Sequence, residues 1–271
     1  MDYKKPKYGL NRITIMRGCN NLYYILGGNG FVGSAFIRHF KQKKIEYVNI
    51  TKENYNEYTD SSCDVFINAN GNSKKYLARK EPITDFDMNV RMALKTTQDF
   101  KYKMYVLISS IDVYNTLSDP KHNSEETPIT PEKLSNYGFD KYLTEYIIKK
   151  YCTNWLIFRL GGMVGKDMAK GPVYDILQNG EIYVHPDSQF QFINTDEVAE
   201  ILFTIINKKI SNEIFNVCGT GSLSIKDIAS ILNQKIENNE YNRLVYEINN
   251  KKIQTYKKLS STKETIKNIK V

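Results

Sequence analysis

The chain of 271 residues carries a formal net charge of +8, with 41% hydrophobic and 25% charged residues, proportions typical of a soluble globular protein. No apolar run is long enough to span a bilayer, and the four cysteines and three histidines show no metal-ligand spacing. The lysine excess has no groove-reading motif beside it. We therefore expect no membrane, metal or nucleic acid among the partners, and a reducing, cytoplasmic compartment.

Residues 1–20 lack the apolar stretch of a signal peptide and are interpreted as a basic N-terminal extension. Strands and helices then alternate in chain order: strand Leu22–Leu26, helix Phe31–Lys43, strands Tyr47–Ile50 and Asp64–Asn68, helix Phe86–Phe100, strand Met104–Ser109, helix Tyr137–Lys150 and strand Trp155–Leu160. Beyond Gly165 we predict helices Pro172–Gly180, Asn194–Lys208 and Ser224–Lys235 and a strand Ile214–Val217. The alternation predicts an α/β fold, a doubly wound parallel sheet of the Rossmann kind with a small C-terminal lobe.

A glycine-rich segment follows the first predicted strand and opens the first predicted helix. Its sequence is Gly27-Gly28-Asn29-Gly30-Phe31-Val32-Gly33. Gly27 and Gly30 permit a tight turn and close approach to a pyrophosphate, Gly33 lets the helix pack on the strand, and the helix N-terminus attracts phosphates. This whole segment is therefore a predicted dinucleotide site. It makes residues 21–165 an NAD(P)-binding domain and residues 166–271 a smaller substrate-binding lobe, partly interleaved with the sheet.

The position that contacts the adenosine ribose bears on the choice of cofactor. NAD enzymes of this architecture carry Asp or Glu about 20 residues after the glycines. Here Thr51 holds that place and Lys52 follows it. No carboxylate repels a 2′-phosphate there and Lys52 can attract one, which favours NADP. The alternative is that Lys52 is an ordinary surface lysine, and Glu53 keeps NAD open.

A second signal lies in the predicted helix that begins Tyr137-Gly138-Phe139-Asp140-Lys141. Residues four apart share a helix face, so Lys141 lies beside Tyr137. A nearby ammonium favours the phenolate, so we expect the pKa of Tyr137 to fall from about 10 toward neutrality, which suits proton exchange with a substrate. Ser110 ends an upstream strand, where ligands of open α/β sheets bind, and can hydrogen-bond the same substrate oxygen.

These motifs resemble the extended short-chain dehydrogenase/reductases, in the NAD-dependent epimerase/dehydratase branch that acts mainly on nucleotide sugars. Further similar segments are the strand 64–69, the helix opening 82–90, the strand end 109–114, the segment 192–199 and the strand 214–217. The resemblance implies that Ser110, Tyr137 and Lys141 are the catalytic trio for hydride exchange at a sugar carbon. It also implies that Asn68, Ala69, Asn89, Tyr137 and Lys141 contact the cofactor.

Departures from the family pattern concern the substrate. Gly162 stands where the family has an Asn near the substrate diphosphate, and Gln189 or Gln191 replaces an Arg. The dehydratases of the family have an Asp-Glu pair after their catalytic Ser or Thr, and Asp112 stands at the second position of that pair. Asp112 is either a proton carrier or a structural hydrogen-bond acceptor. Asp112, Gly162 and Gln191 are therefore the candidate substrate residues. The short connection between Thr51 and Asp64 is more similar to that of the 4-ketoreductases than to that of the longer epimerases.

The favoured function is NADP(H)-dependent reduction of a 4-keto sugar that is nucleotide-linked. A nucleotide-sugar 4-epimerase with retained NAD is the alternative. A sugar dehydratase and a non-catalytic NAD(P)-binding regulator rank lower, since regulators of this kind usually lose the tyrosine or the lysine. We also expect a homodimer, because the helices Phe86–Phe100 and Tyr137–Lys150 look amphipathic and pair across a two-fold axis in the family.

Overall fold

A six-stranded parallel sheet organises the computed structural model, which describes residues 21–269. The strands are β1 (Tyr23–Leu26), β2 (Tyr47–Ile50), β3 (Ser62–Asn68), β4 (Lys101–Ser110), β5 (Trp155–Leu160), β6 (Gly162–Val164), β7 (Gln189–Phe190), β8 (Phe192–Asn194), β9 (Glu213–Val217) and β10 (Leu223–Ser224). The sheet order is β2-β1-β3-β4-β5-β9, with every neighbouring pair parallel. The expected doubly wound sheet is confirmed. The predicted extension at 1–20 lies outside the described residues.

Helices cover both faces of the sheet, as its apolar strands require. They are α1 (Phe31–Lys43), α2 (Tyr55–Tyr58), α3 (Lys75–Lys80), α4 (Pro82–Phe86), α5 (Met92–Asp99), α6 (Asn136–Tyr151), α7 (Pro172–Leu177), α8 (Thr195–Asn207), α9 (Ile225–Ile231), α10 (Lys251–Gln254) and α11 (Thr262–Lys267). Helices α1 and α8 cover one face, where Phe36 and Ile201 are buried. Helices α5 and α6 cover the other face with Ala93 and Ile148.

The single helix predicted between residues 86 and 100 is wrong in its start and its continuity. Helix α4 begins at Pro82, where a missing N–H costs nothing. A π-helical turn at Asp87–Arg91 separates α4 from α5. The wider turn changes which side chains share a face. Phe86, predicted to lie on one face with Val90, is therefore 42% exposed while Val90 is buried.

The C-terminal part of the chain divides between a small cluster and the main sheet. Strand β6 pairs with β8 and β7 pairs with β10, next to an apolar cluster shared by α7, α9 and α11. Helix α8 and strand β9 belong instead to the layers of the main sheet. Helices α7 and α9 end earlier than predicted. Two residues beyond each helix, Asn179 (φ 50°) and Asn233 (φ 56°) adopt the left-handed backbone that ends helices.

The sheet order fixes where a ligand can bind. Strand β1 lies between β2 and β3. The chain runs from β1 to β2 on one side, and then crosses back to β3 and the remaining strands on the other side. Such a reversal opens a crevice at the carboxyl ends of the strands, which is the usual ligand site of open α/β sheets. No helix of the described residues is long and apolar enough to cross a bilayer.

Candidate active site

The glycine-rich segment forms the turn between β1 and α1 at this crevice. A Cβ on Gly33 would lie 2.1 Å from the carbonyl oxygen of Gly27, so only glycine allows the helix to start so close to the strand. Gly30 precedes α1, whose first turn has neither a side-chain cap nor an acidic residue. Its N–H groups are thus suited to phosphate oxygens. Phe31 packs on the C-terminal cluster and Val32 on the main core.

Polar side chains gather at the end of β2, near the predicted ribose position. The Thr51 N–H donates to Asn54 Oδ1 at 2.7 Å. A hydrogen bond from the Thr51 side chain lowers the pKa of the exposed Glu53 carboxyl. Lys52 is exposed on the same turn. Sequence reasoning missed Asn49, whose Nδ2 donates to Asn29 Oδ1 at 2.9 Å across the glycine loop.

The three residues predicted to lie over the cofactor differ in whether they have a hydrogen-bonding group left for a ligand. Asn68 is buried, donating to the Tyr105 hydroxyl at 2.8 Å and accepting the Asn70 N–H at 3.0 Å. Ala69 presents its backbone to the glycine loop and donates its N–H to Leu26. Asn89 is buried in the π-helical turn, and its Oδ1 has no donor among residues 21–269. Asn89 therefore keeps an acceptor available for a bound group.

Ser110, Tyr137 and Lys141 come together at the carboxyl end of β4. Ser135 caps α6 by accepting the Gly138 N–H at 3.1 Å, which places Tyr137 in the first turn. The Ser110 hydroxyl is within hydrogen-bonding reach of the Tyr137 phenol. Lys141 Nζ lies 5.8 Å from the centre of the Tyr137 ring. All three side chains are buried, and the arrangement can deliver two hydroxyl groups to one substrate oxygen.

The electrostatics of Tyr137 differ from the sequence-based expectation. Burial raises the pKa of Tyr137 above its ordinary value, and the nearby Asp112 carboxylate raises it further. The expected shift toward neutrality is therefore wrong for the protein without ligand, because desolvation of the phenolate outweighs the nearby positive charges. Burial also lowers the pKa of Lys141 to about 8.

A charged side chain that sequence reasoning missed, Lys75, lies beside this trio. Its Nζ donates to Asp112 Oδ1 at 2.6 Å and to the Tyr246 hydroxyl at 3.1 Å. The other carboxylate oxygen of Asp112 accepts the Ser110 hydroxyl at 2.9 Å. Lys75 therefore offsets the Asp112 charge near Tyr137, and it is among the groups that lower the Tyr137 pKa. In the sequence Lys75 is one of two adjacent lysines at a helix start, which carries no signal of this contact.

Two of the predicted substrate residues are engaged within the protein. Gly162 lies in β6, opposite Phe192 of β8. Gln191 is buried, and its Nε2 donates to the Gly219 carbonyl at 3.0 Å while its Oε1 accepts the Ile248 N–H at 2.6 Å. The Gln191 amide thus holds the C-terminal segments together, whereas contact with a substrate would need a free donor.

A buried ion pair supports the strand ends that carry the site. Arg159 of β5 and Glu145 of α6 form a two-pronged pair, with N–O distances of 2.9 and 2.7 Å. Ser109, next to Ser110, donates to the same carboxylate at 2.6 Å, and Arg159 also donates to the Tyr114 hydroxyl at 2.8 Å. These bonds tie α6 to the ends of β4 and β5, which fixes Tyr137 and Lys141 relative to Ser110.

Known proteins share this chain's fold over most of its length. GDP-6-deoxy-D-talose 4-dehydrogenase of Aggregatibacter actinomycetemcomitans is 24% identical over 232 residues, or 77% of this chain and 78% of that protein. The structure of dTDP-4-dehydrorhamnose reductase from Bacillus anthracis with NADP matches with a TM-score of 0.78 at 17% identity, covering 94% of this chain and 99% of the other. UDP-glucuronic acid 4-epimerase from Bacillus cereus with NAD matches with a TM-score of 0.72 at 16% identity, covering 91% and 96%.

A family model carries the assignment. The model of the NAD dependent epimerase/dehydratase family matches residues 23–218, which include the glycine-rich segment, the end of β4 and the tyrosine–lysine helix. The match spans well over half of the chain, and it confirms the expected NAD(P)-dependent enzyme. The chain belongs to the NAD dependent epimerase/dehydratase family.

Proposed function

We propose that the protein reduces the 4-keto group of a nucleotide-linked sugar, with Ser110, Tyr137 and Lys141 as its catalytic centre. The observation that carries the proposal is the convergence of the Ser110 hydroxyl and the Tyr137 phenol at the carboxyl end of β4. When bound, a nicotinamide dinucleotide supplies the hydride. Similarity to a 4-dehydrogenase of a GDP-linked 6-deoxy sugar supports a nucleotide-linked sugar as the substrate class.

The residues have separate tasks in this reaction. Ser110 holds the keto oxygen by a hydrogen bond, and Tyr137 transfers its phenol proton to that oxygen as negative charge develops there. Lys141 holds the nicotinamide ribose and stabilises the resulting phenolate. The raised pKa of Tyr137 supports the direction of reduction, because the phenol remains protonated at neutral pH until a substrate oxygen takes its proton. The glycine-rich turn and the first turn of α1 bind the pyrophosphate.

The cofactor preference and the assembly are part of the same proposal. Lys52, with no carboxylate at position 51, supports NADP, while Glu53 is the feature that would favour NAD. A homodimer is supported by apolar side chains exposed on α4 and α6, where Ile83 is 78% and Tyr146 is 61% exposed. Two copies related by a two-fold axis would cover this surface on both subunits.

The test is consumption of NADPH and of NADH with dTDP- and GDP-linked 4-keto-6-deoxyhexoses. We expect turnover by the wild type and a loss of about 10²–10⁴-fold in Tyr137→Phe, with dinucleotide affinity nearly unchanged. Tyr146→Phe, on the exposed side of the same helix, is the matched control and should keep its activity. Full activity of Tyr137→Phe would refute the mechanism. Tightly bound oxidised cofactor with interconversion of 4-epimers would favour the epimerase instead.

A further inference from the structure

A cluster of buried charges surrounds Lys141. Asp85 of α4 is fully buried, and Asp140 and Lys141 of α6 are each 7% exposed. Burial raises the pKa of Asp140, and a hydrogen bond with the Asp85 carboxyl group raises it further. Ionised carboxylates only accept hydrogen bonds, so such a contact requires one of the two groups to carry a proton.

The bonding of Asp85 also leaves room for that proton. Its Oδ1 accepts Asn72 Nδ2 at 2.7 Å and Asn89 Nδ2 at 3.1 Å. Its Oδ2 is buried and has no donor among the described residues. An ionised carboxylate oxygen without a donor is unfavourable in a site that excludes water. A proton on the neighbouring carboxyl group removes this defect.

The charges around Lys141 are otherwise compensated. Glu145 is paired with Arg159 at 2.7 Å, and Asp112 is paired with Lys75 at 2.6 Å. Two carboxyl groups therefore remain for the single Lys141 ammonium. Buried charges are stable when they are balanced, and the cluster is balanced when the two aspartates carry one negative charge between them.

We propose that Asp85 and Asp140 share one proton, and that their single negative charge keeps Lys141 in its charged form. Asp85 and Asp140 are thus positioning residues that act through Lys141, and the proposal presupposes the role given to Lys141 above. Asp140 holds the proton, because Oδ1 of Asp85 already receives two amide donors.

The protonation behaviour of the cluster agrees with this division. Burial, followed by the hydrogen bond to Asp85, raises the pKa of Asp140 to about 7. Burial lowers the pKa of Lys141 to about 8, and Asp85 is the leading group that opposes the shift, ahead of Glu145, Asp112 and Asp140. The two titrations are linked, because loss of the shared proton adds a negative charge and makes Lys141 hold its own proton more tightly.

The experiment follows Lys141 directly, by NMR of the full chain with isotope-labelled lysine and without substrate or cofactor. Lys141→Met identifies its signal. We expect Asp85→Asn to lower the pKa of Lys141 by about one unit, a tenfold change in its charged fraction at a given pH. Asp140→Asn should lower the pKa of Lys141 by less, because Asp85 opposes the lowered Lys141 pKa more strongly than Asp140 does. Asp87→Asn, a half-buried carboxylate two residues along the chain from Asp85, is the matched control and should leave the titration unchanged.

An equal or larger shift in Asp140→Asn, or none in Asp85→Asn, would overturn the proposal. A second measurement covers the case in which Asp85→Asn does not fold. The infrared spectrum of the wild type at about pH 6 should contain the carbonyl band of a protonated carboxylic acid, and Asp140→Asn should lack it. Absence of the band from the wild type would refute the shared proton. Neither readout needs turnover, so failure of the proposed reaction would leave the result on the aspartate pair standing.

Discussion

Replacing Glu145 with Gln tests the buried support of the active site. The substitution preserves the shape of the side chain but removes the charge that faces Arg159. In the wild type these two side chains are 0% and 2% exposed, and they are joined by bonds of 2.9 and 2.7 Å. Arg159 would keep its bond to Tyr114 but would lose its counter-charge in a buried site.

The expected cost follows from that burial. Removing one partner of a buried pair leaves an uncompensated charge and costs about 3–5 kcal/mol. Since whole domains are stable by only about 5–15 kcal/mol, this is a large fraction of the total. For a chain of this size it corresponds to a fall in Tm of roughly 6–20 °C. The exposed pair between Asp87 and Arg91, one turn apart on a helix, should be worth less than about 0.5 kcal/mol.

Urea denaturation of the wild type, Glu145→Gln and the control Asp87→Asn measures both effects. Arg159→Met and the double variant complete a cycle that isolates the coupling between the two charges. A cost for Glu145→Gln no larger than that of the control would refute the reasoning, because it would mean that water reaches the guanidinium. We also expect reduced turnover in Glu145→Gln, since Ser109 loses its charged acceptor next to Ser110.

Four further predictions concern the site and the assembly. Gly33→Ala should weaken NADPH and NADH binding in calorimetry, since its Cβ would meet the Gly27 carbonyl at 2.1 Å; unchanged affinity would contradict the close approach. Lys75→Met should raise the Tyr137 pKa, because the Asp112 charge is no longer offset, and so move the pH profile of alcohol oxidation to higher pH; a profile that stays in place argues against Lys75. Lys52→Glu should reduce any preference for NADPH over NADH by about tenfold in measured Kd ratios, and an unchanged ratio would reject Lys52 as the phosphate contact. The wild type should sediment as a dimer and Ile83→Asp as a monomer at micromolar concentration, whereas a monomeric wild type would exclude the dimer.

Much of the sheet could be predicted because buried parallel strands are short apolar runs bounded by turns. The segments predicted for β2 and β5 match the structure residue for residue, and α1 begins and ends as its glycines and lysines indicate. The glycine spacing predicted the turn at Gly33, since a close backbone approach is a local property of the chain.

The electrostatics of the site could not be predicted, because they depend on burial by distant segments. The spacing of Tyr137 and Lys141 indicates that they share a helix face, but it does not reveal that desolvation raises the pKa of the phenol. Asp85 and Asp140 are separated by 55 positions and meet only through the packing of α4 against α6. Lys75 looks like a surface lysine until Asp112 is found 2.6 Å away.

The place of β9 in the main sheet has a consequence for how the protein is made. A nascent chain that ends at residue 165, the predicted domain boundary, would expose the edge of β5 that later pairs with Glu213–Val217. It would also leave uncovered the apolar face of α1 that packs on α8. Unpaired apolar edges promote aggregation, so we expect the N-terminal segment alone to be insoluble. Stable folding on the ribosome would then wait for nearly the whole chain, and the dinucleotide site would form late in synthesis although its residues emerge first.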